Sequence, residues 1–146
     1  MNELTSMKIT IVNGPNLNLL GKREPDVYGN TTFESYLESL QDKYPQVDFD
    51  YYQSNIEGEI ISKIQEKGFS GDGIILNAAA YTHTSVGIGD AVKAVSSPVV
   101  EVHISNVYQR EDFRHESFIS PHASGIIVGF GLLGYELAVR SLMDNT

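Results

Sequence analysis

The stretch "KITIVN", residues 8–13, sets the fold. It is short, rich in β-branched residues and followed at once by the polar loop "NGPNLNLLGKREPDVYG" (13–29). That combination reads as a buried strand rather than a helix. Four more segments read as strands, and four of the five in all are dense in β-branched residues: "VDFDYYQ" (47–53), "GIILNA" (73–78), "PVVEVHI" (98–104) and "SGIIVGF" (124–130). Helical patterns lie between them, over 32–44, 57–67, about 84–95 and 132–143. Thr31-Thr32-Phe33-Glu34 reads as a capping box for the first and Ser54-Asn55-Ile56-Glu57 as one for the second, which stops at Gly68. Gly87 and Gly89 weaken the third.

Strands that alternate with helices imply an α/β protein with a parallel sheet covered on both faces. Five strands predict a flavodoxin-like doubly wound sheet, order 2-1-3-4-5. Ligands of such sheets bind beyond the carboxyl ends of the strands, near the point where the strand order reverses. The loops after strands 1, 3 and 4 therefore matter most. They hold Asn16, Arg23 and Tyr28; then Asn77, Tyr81, Thr82 and His83; then His103, Ser105, Asn106, Arg110 and Arg114.

Composition bounds the function. The chain has 146 residues, enough for one domain, with residues 1–6 expected to be a disordered N-terminal extension. No apolar run is long enough to span a membrane, and no secretory leader pattern is visible. The absence of cysteine excludes disulfides and thiolate chemistry and suits a cytoplasmic protein. A net charge of −9 argues against nucleic acid and anionic membranes as partners. An anionic ligand would need local cations, and three of the four arginines (Arg23, Arg110 and Arg114) fall in loop-like stretches.

Strand 4 breaks the rule that a strand buried on both faces is continuously apolar. Glu101 and His103 are two apart and share one face. A carboxylate beside an imidazole favours the imidazolium, a proton donor near neutral pH. The same pair also reads as an ion pair that only holds the strand end. Tyr28 is open in the same way. A phenol of pKa about 10 is ionised about once in a thousand at neutral pH, and lowering that pKa by ~3 units takes roughly 4 kcal/mol. Arg23 could supply much of this in a closed site and little in an exposed loop. Glycines at 14, 21 and 29, with Pro25 between, suit a lid; the plainer reading of Tyr28 is packing at the helix start. His83 equally suits an exposed helix N-terminal turn capped by Thr82 or Thr84, Asn13 and Asn77 suit strand ends, and Asp90 suits a surface.

With these residues in hand, the sequence resembles the type II 3-dehydroquinate dehydratases. The resemblance runs from Met7 to about Met143. Its motifs are "NGPNLNLLGKREPDVYG", "NAAAYTHTSVGIGDA", "VEVHISN", "REDFRHESFIS" and "GFGLLGYELA". It implies one catalytic domain over 7–146 and the dehydration of 3-dehydroquinate to 3-dehydroshikimate, in aromatic amino acid biosynthesis. It implies Tyr28 as base, Arg23 as the cation that lowers its pKa, and His103, oriented by Glu101, as acid. Asn16 would hold a water against the enolate. Asn77, His83, Arg114 and the backbone N–H groups of Ile104 and Ser105 would bind substrate, and Asp90 would reach a neighbouring subunit's site. A homododecamer, a tetramer of trimers, is implied. No metal or organic cofactor is, because the substrate's carbonyl serves as electron sink.

Two departures stand out. Family members commonly show "NPGAYTHTS"; here Ala78 and Ala79 replace Pro and Gly. Alanine takes a positive φ less cheaply than glycine, so the loop holding His83 is expected to sit differently. Gly89 stands where arginine is common before the aspartate, which is expected to weaken a trimer contact or loosen the helix. The other chemistry for this reaction, an imine on a buried lysine, finds no clear candidate: Lys43, Lys63, Lys67 and Lys93 lie on polar helical patterns, Lys8 starts a strand and Lys22 lies in the first loop. Rival readings are weaker. A receiver module needs acidic residues and a lysine where this chain has Asn13, Asn77 and Phe130. An FMN module needs a Ser/Thr-rich phosphate loop after strand 1. A metal hydrolase on His83, His103 and Asp90 lacks a short ligand spacing.

Overall fold

The structure, a computed structural model, describes residues 6–22, 26 and 30–144. Arg23, Tyr28 and residues 1–5 of the expected extension lie outside the described residues. Five strands form one parallel sheet: β1 (Met7–Asn13), β2 (Val47–Gln53), β3 (Gly73–Asn77), β4 (Val99–His103) and β5 (Gly125–Val128). Their order is β2-β1-β3-β4-β5, the flavodoxin-like order expected for five strands. The registers are regular; Asn13 at the end of β1 pairs with Asn77 at the end of β3, and His103 at the end of β4 pairs with Val128.

Helices cover both faces. Helices α1 (Phe33–Lys43) and α4 (Leu133–Asp144) pack on one, α2 (Glu57–Lys67) and α3 (Val86–Ala94) on the other. Alternation along each strand divides the core accordingly. Ile9, Ile11, Val100 and Val102 join Phe33, Tyr135 and Leu142. Val12, Ile74, Leu76 and Val99 join Ile60, Ile64 and Ile88. Each such side chain, fully buried, contributes about 1.5–3 kcal/mol. Glu101 and His103 share the parity of Val99 and so face α3.

The helix starts differ from the sequence reading. Thr32, not Thr31, caps α1, its hydroxyl accepting from Ser35 N–H at 3.2 Å. Ser54 does not cap α2; its hydroxyl accepts from Ile56 N–H and donates to Glu59. Ser85 caps α3, accepting from Ile88 N–H at 2.9 Å, because a 3-10 turn over Ala79–His83 takes up Thr82 and closes at Thr84. Gly89 lies inside a continuous α3. It is buried there, and the Phe118 carbonyl oxygen lies 2.3 Å from where its Cβ would be. Among the described residues no helix is long and apolar enough to cross a membrane.

Candidate active site

The carboxyl ends of β1, β3 and β4 meet at one cavity of about 180 Å³. Gly14 begins the loop after β1. Its N–H donates to the Asn77 carbonyl at 2.7 Å, and a Cβ there would sit 2.5 Å from the Ala78 carbonyl oxygen, so only glycine permits this approach. Asn16 follows in the left-handed region at φ 71°, which asparagine tolerates. Its N–H donates to Asn55 Oδ1 at 3.0 Å, and the residue lines the cavity.

The end of β3 rests on a buried polar chain. Asn77 Nδ2 donates to Tyr135 Oη at 2.9 Å, and that hydroxyl donates to Asn13 Oδ1 at 2.8 Å. Asn77 Oδ1 accepts from Ala79 N–H at 3.1 Å. Burial holds the Tyr135 phenol far above its usual range, so it remains a neutral donor. Ala79 lies at φ 53°, where a glycine would be at ease. The 3-10 turn beyond it carries His83 to the cavity.

Two histidines face each other there, ring centroids 6.2 Å apart and planes 23° apart. His83 Nδ1 lies 2.7 Å from the Glu116 carbonyl oxygen. A carbonyl only accepts, so Nδ1 carries the proton and Nε2 is the acceptor of the neutral ring. Burial pushes the His83 pKa down, and His103 and Arg114 push the same way. This ring is thus a neutral hydrogen-bonding group. His103 is 6% exposed and its Nε2 lies 2.5 Å from Oε2 of Glu101, itself 1% exposed. That carboxylate also accepts from Ser117 Oγ at 3.0 Å and from Ser120 Oγ at 2.5 Å. Burial opposes its charge, yet the bonds from His103, Ser120 and Ser117 hold its pKa below the usual carboxylate value. An ionised carboxylate accepts only, so His103 donates through Nε2.

The loop after β4 supplies cations. Arg114 is held by Glu111 at 2.7 Å and lies over the Phe113 ring, 4.9 Å from its centroid. Arg110 and Arg114 both line the cavity, and among the described residues no carboxylate or lysine does. Carboxylates stand just outside this lining, Glu111 paired with Arg114 and Glu101 behind His103. Also among the described residues, no group of His, Cys, Asp and Glu gathers as metal ligands.

Of the residues the sequence singles out, Asn16, Asn77, His83, His103, Ile104, Ser105 and Arg114 line this one cavity. Glu101 stands directly behind His103. Asp90 is exposed on α3 and does not line it. Sequence reasoning passed over Ser117 and Ser120, although both fall in "REDFRHESFIS", and it missed Tyr135 in "GFGLLGYELA". It placed Arg110 among the converging loops without giving it a role.

A sequence model of the family described as "Dehydroquinase class II" matches residues 7–143. The chain belongs to this family. As a member it is an enzyme, a hydro-lyase. It is similar to the 3-dehydroquinate dehydratase of Campylobacter jejuni, 54% identical over 140 residues that cover 94% of this chain and 88% of the relative. A 3-dehydroquinate dehydratase of an Exiguobacterium species is 50% identical over 140 residues, 95% of this chain and 96% of the relative. The crystal structure of the type II dehydroquinase of Butyrivibrio crossotus superposes with a TM-score of 0.89 at 49% identity, covering 94% of this chain and 97% of that one.

Proposed function

We propose that the cavity binds 3-dehydroquinate and eliminates water from it to give 3-dehydroshikimate. One observation carries the mechanism: a buried histidine, locked to a buried glutamate, ends β4 in a cavity lined, among the described residues, by two arginines and no carboxylate. Glu101 takes Nε2 of His103, which leaves Nδ1 for the substrate. The cations suit a carboxylate ligand, with Arg114, Asn77, His83 and the Ile104 and Ser105 backbone as its binding groups. Family membership supports the rest. Tyr28, ionised with the help of Arg23, takes the proton next to the ketone; the electron pair moves onto the carbonyl oxygen, and an enolate forms. Asn16 holds a water against that oxygen. The enolate then collapses, the C–O bond to the hydroxyl breaks, and His103 protonates the departing oxygen to give water. Base and acid work from opposite faces, an anti elimination.

This reading treats 7–146 as one catalytic domain, in the cytoplasm, on the route to aromatic amino acids. It includes a homododecamer of trimers in which Asp90 reaches a neighbour's site. Addition of 3-dehydroquinate should raise the ultraviolet absorbance of the conjugated enone. Tyr28→Phe should abolish turnover while substrate analogues still bind, and His103→Ala should do the same. A near-normal rate in either variant overturns the role given to that residue.

A further inference from the structure

The Glu101 carboxylate has more partners than orientation of one imidazole requires. Oε2 serves His103 and Ser117, and Oε1 serves Ser120 at 2.5 Å. The two serines lie on a turn that three separate contacts hold in place. Phe118 N–H donates to the Thr82 carbonyl at 2.9 Å. Ile119 is fully buried in the core beside α3. The Phe118 carbonyl occupies the space that any side chain at position 89 would need. The hydroxyls differ in what else they do. Ser117 Oγ also accepts from the N–H groups of Ile119 and Ser120, so it shapes its own turn. The Ser120 hydroxyl is engaged with Glu101.

A buried carboxylate with one partner could rotate about its terminal bond or take the proton from its neighbour. Anchoring Oε1 removes the rotation, and donation to both oxygens disfavours the protonated carboxyl. We propose that Ser120, supported by Ser117, is a positioning residue for the dehydration, acting through Glu101 to keep the His103 ring oriented and its proton on the imidazole. This rests on the assignment of His103 as acid. Neither serine touches the substrate in this scheme. Loss of Ser120 should therefore slow the chemical step and leave binding nearly intact.

The test is a double-mutant cycle on the full-length enzyme with 3-dehydroquinate. Ser120→Ala should lower kcat about tenfold or more, as expected for losing a hydrogen bond to a charged group, with KM within about twofold. Ser120→Thr, which keeps the hydroxyl, should recover most of the loss. In a Glu101→Gln background the Ser120→Ala change should cost little more, because its route to His103 is already cut. Should Ser120→Ala fail to fold, Ser120→Cys keeps the volume with a weak donor and gives the same comparison. Normal kcat in Ser120→Ala, or a loss that simply multiplies with that of Glu101→Gln, overturns the proposal. His103→Ala separates the two claims. If it is inactive while Ser120→Ala is normal, only the role of Ser120 fails; if it and Glu101→Gln are both fully active, both claims fail.

Discussion

At the scale of single residues, two nearby imidazoles are held through different nitrogens, Nδ1 in His83 and Nε2 in His103. A backbone carbonyl holds His83 and a carboxylate holds His103. The carboxylate also has a thermodynamic signature. Its folded pKa lies below the usual 4.5, so the unfolded chain takes up the proton first on acidification. Glu101 thus contributes stability that is full above about pH 4.5 and is lost as pH falls through the lower folded value. Thermal midpoints should fall less between about pH 6 and pH 4 in Glu101→Gln than in the parent. Ala79 offers a second measurement. Its left-handed backbone costs an alanine about 1 kcal/mol that a glycine avoids. Ala79→Gly should raise stability by roughly that amount in denaturant titration, and a loss would show that the turn draws on the alanine methyl. Glu101 and His103 were legible as a same-face pair because strand periodicity is two. Ser117 and Ser120 were not, since their meeting with Glu101 depends on the path of a loop.

Among the elements, strands were easier to read than helix starts. A run such as "GIILN" has no competing fate, and β3 is buried throughout. A start such as "YTHTS" has several. Thr82, Thr84 and Ser85 all have capping chemistry, and the 3-10 turn decides in favour of Ser85. Gly89 shows the same dependence on tertiary contact. Its helix propensity is poor, yet the approach of the Phe118 carbonyl leaves no room for anything larger. Gly89→Ala improves local propensity by about 1 kcal/mol and should still lower the melting temperature, because the 117–120 turn must move. A higher melting temperature would mean the turn yields without cost.

For the molecule as a whole, the fold concentrates a few cations where the chain is otherwise acidic. The parallel sheet was readable from element alternation; the order 2-1-3-4-5 was a choice for five strands, and the convergence of three loops followed from it. The lining by Leu17, Leu20 and Val107 was not readable, because apolar loop residues carry no periodic signal. The same lining bears on mechanism. Among the described residues no lysine borders the cavity, so borohydride added with substrate should leave activity intact and no adduct on lysine by mass spectrometry. A trapped adduct would refute the enolate route.

The hydroxyl of Tyr135 lies between two amides, one from the first strand and one from the third, 122 and 58 residues away along the chain. A nascent chain therefore owns both amides long before it owns the group that satisfies them. Only once α4 has left the ribosome can both amides meet their partner. A truncation that removes α4 would strip an interior tie as well as a surface helix.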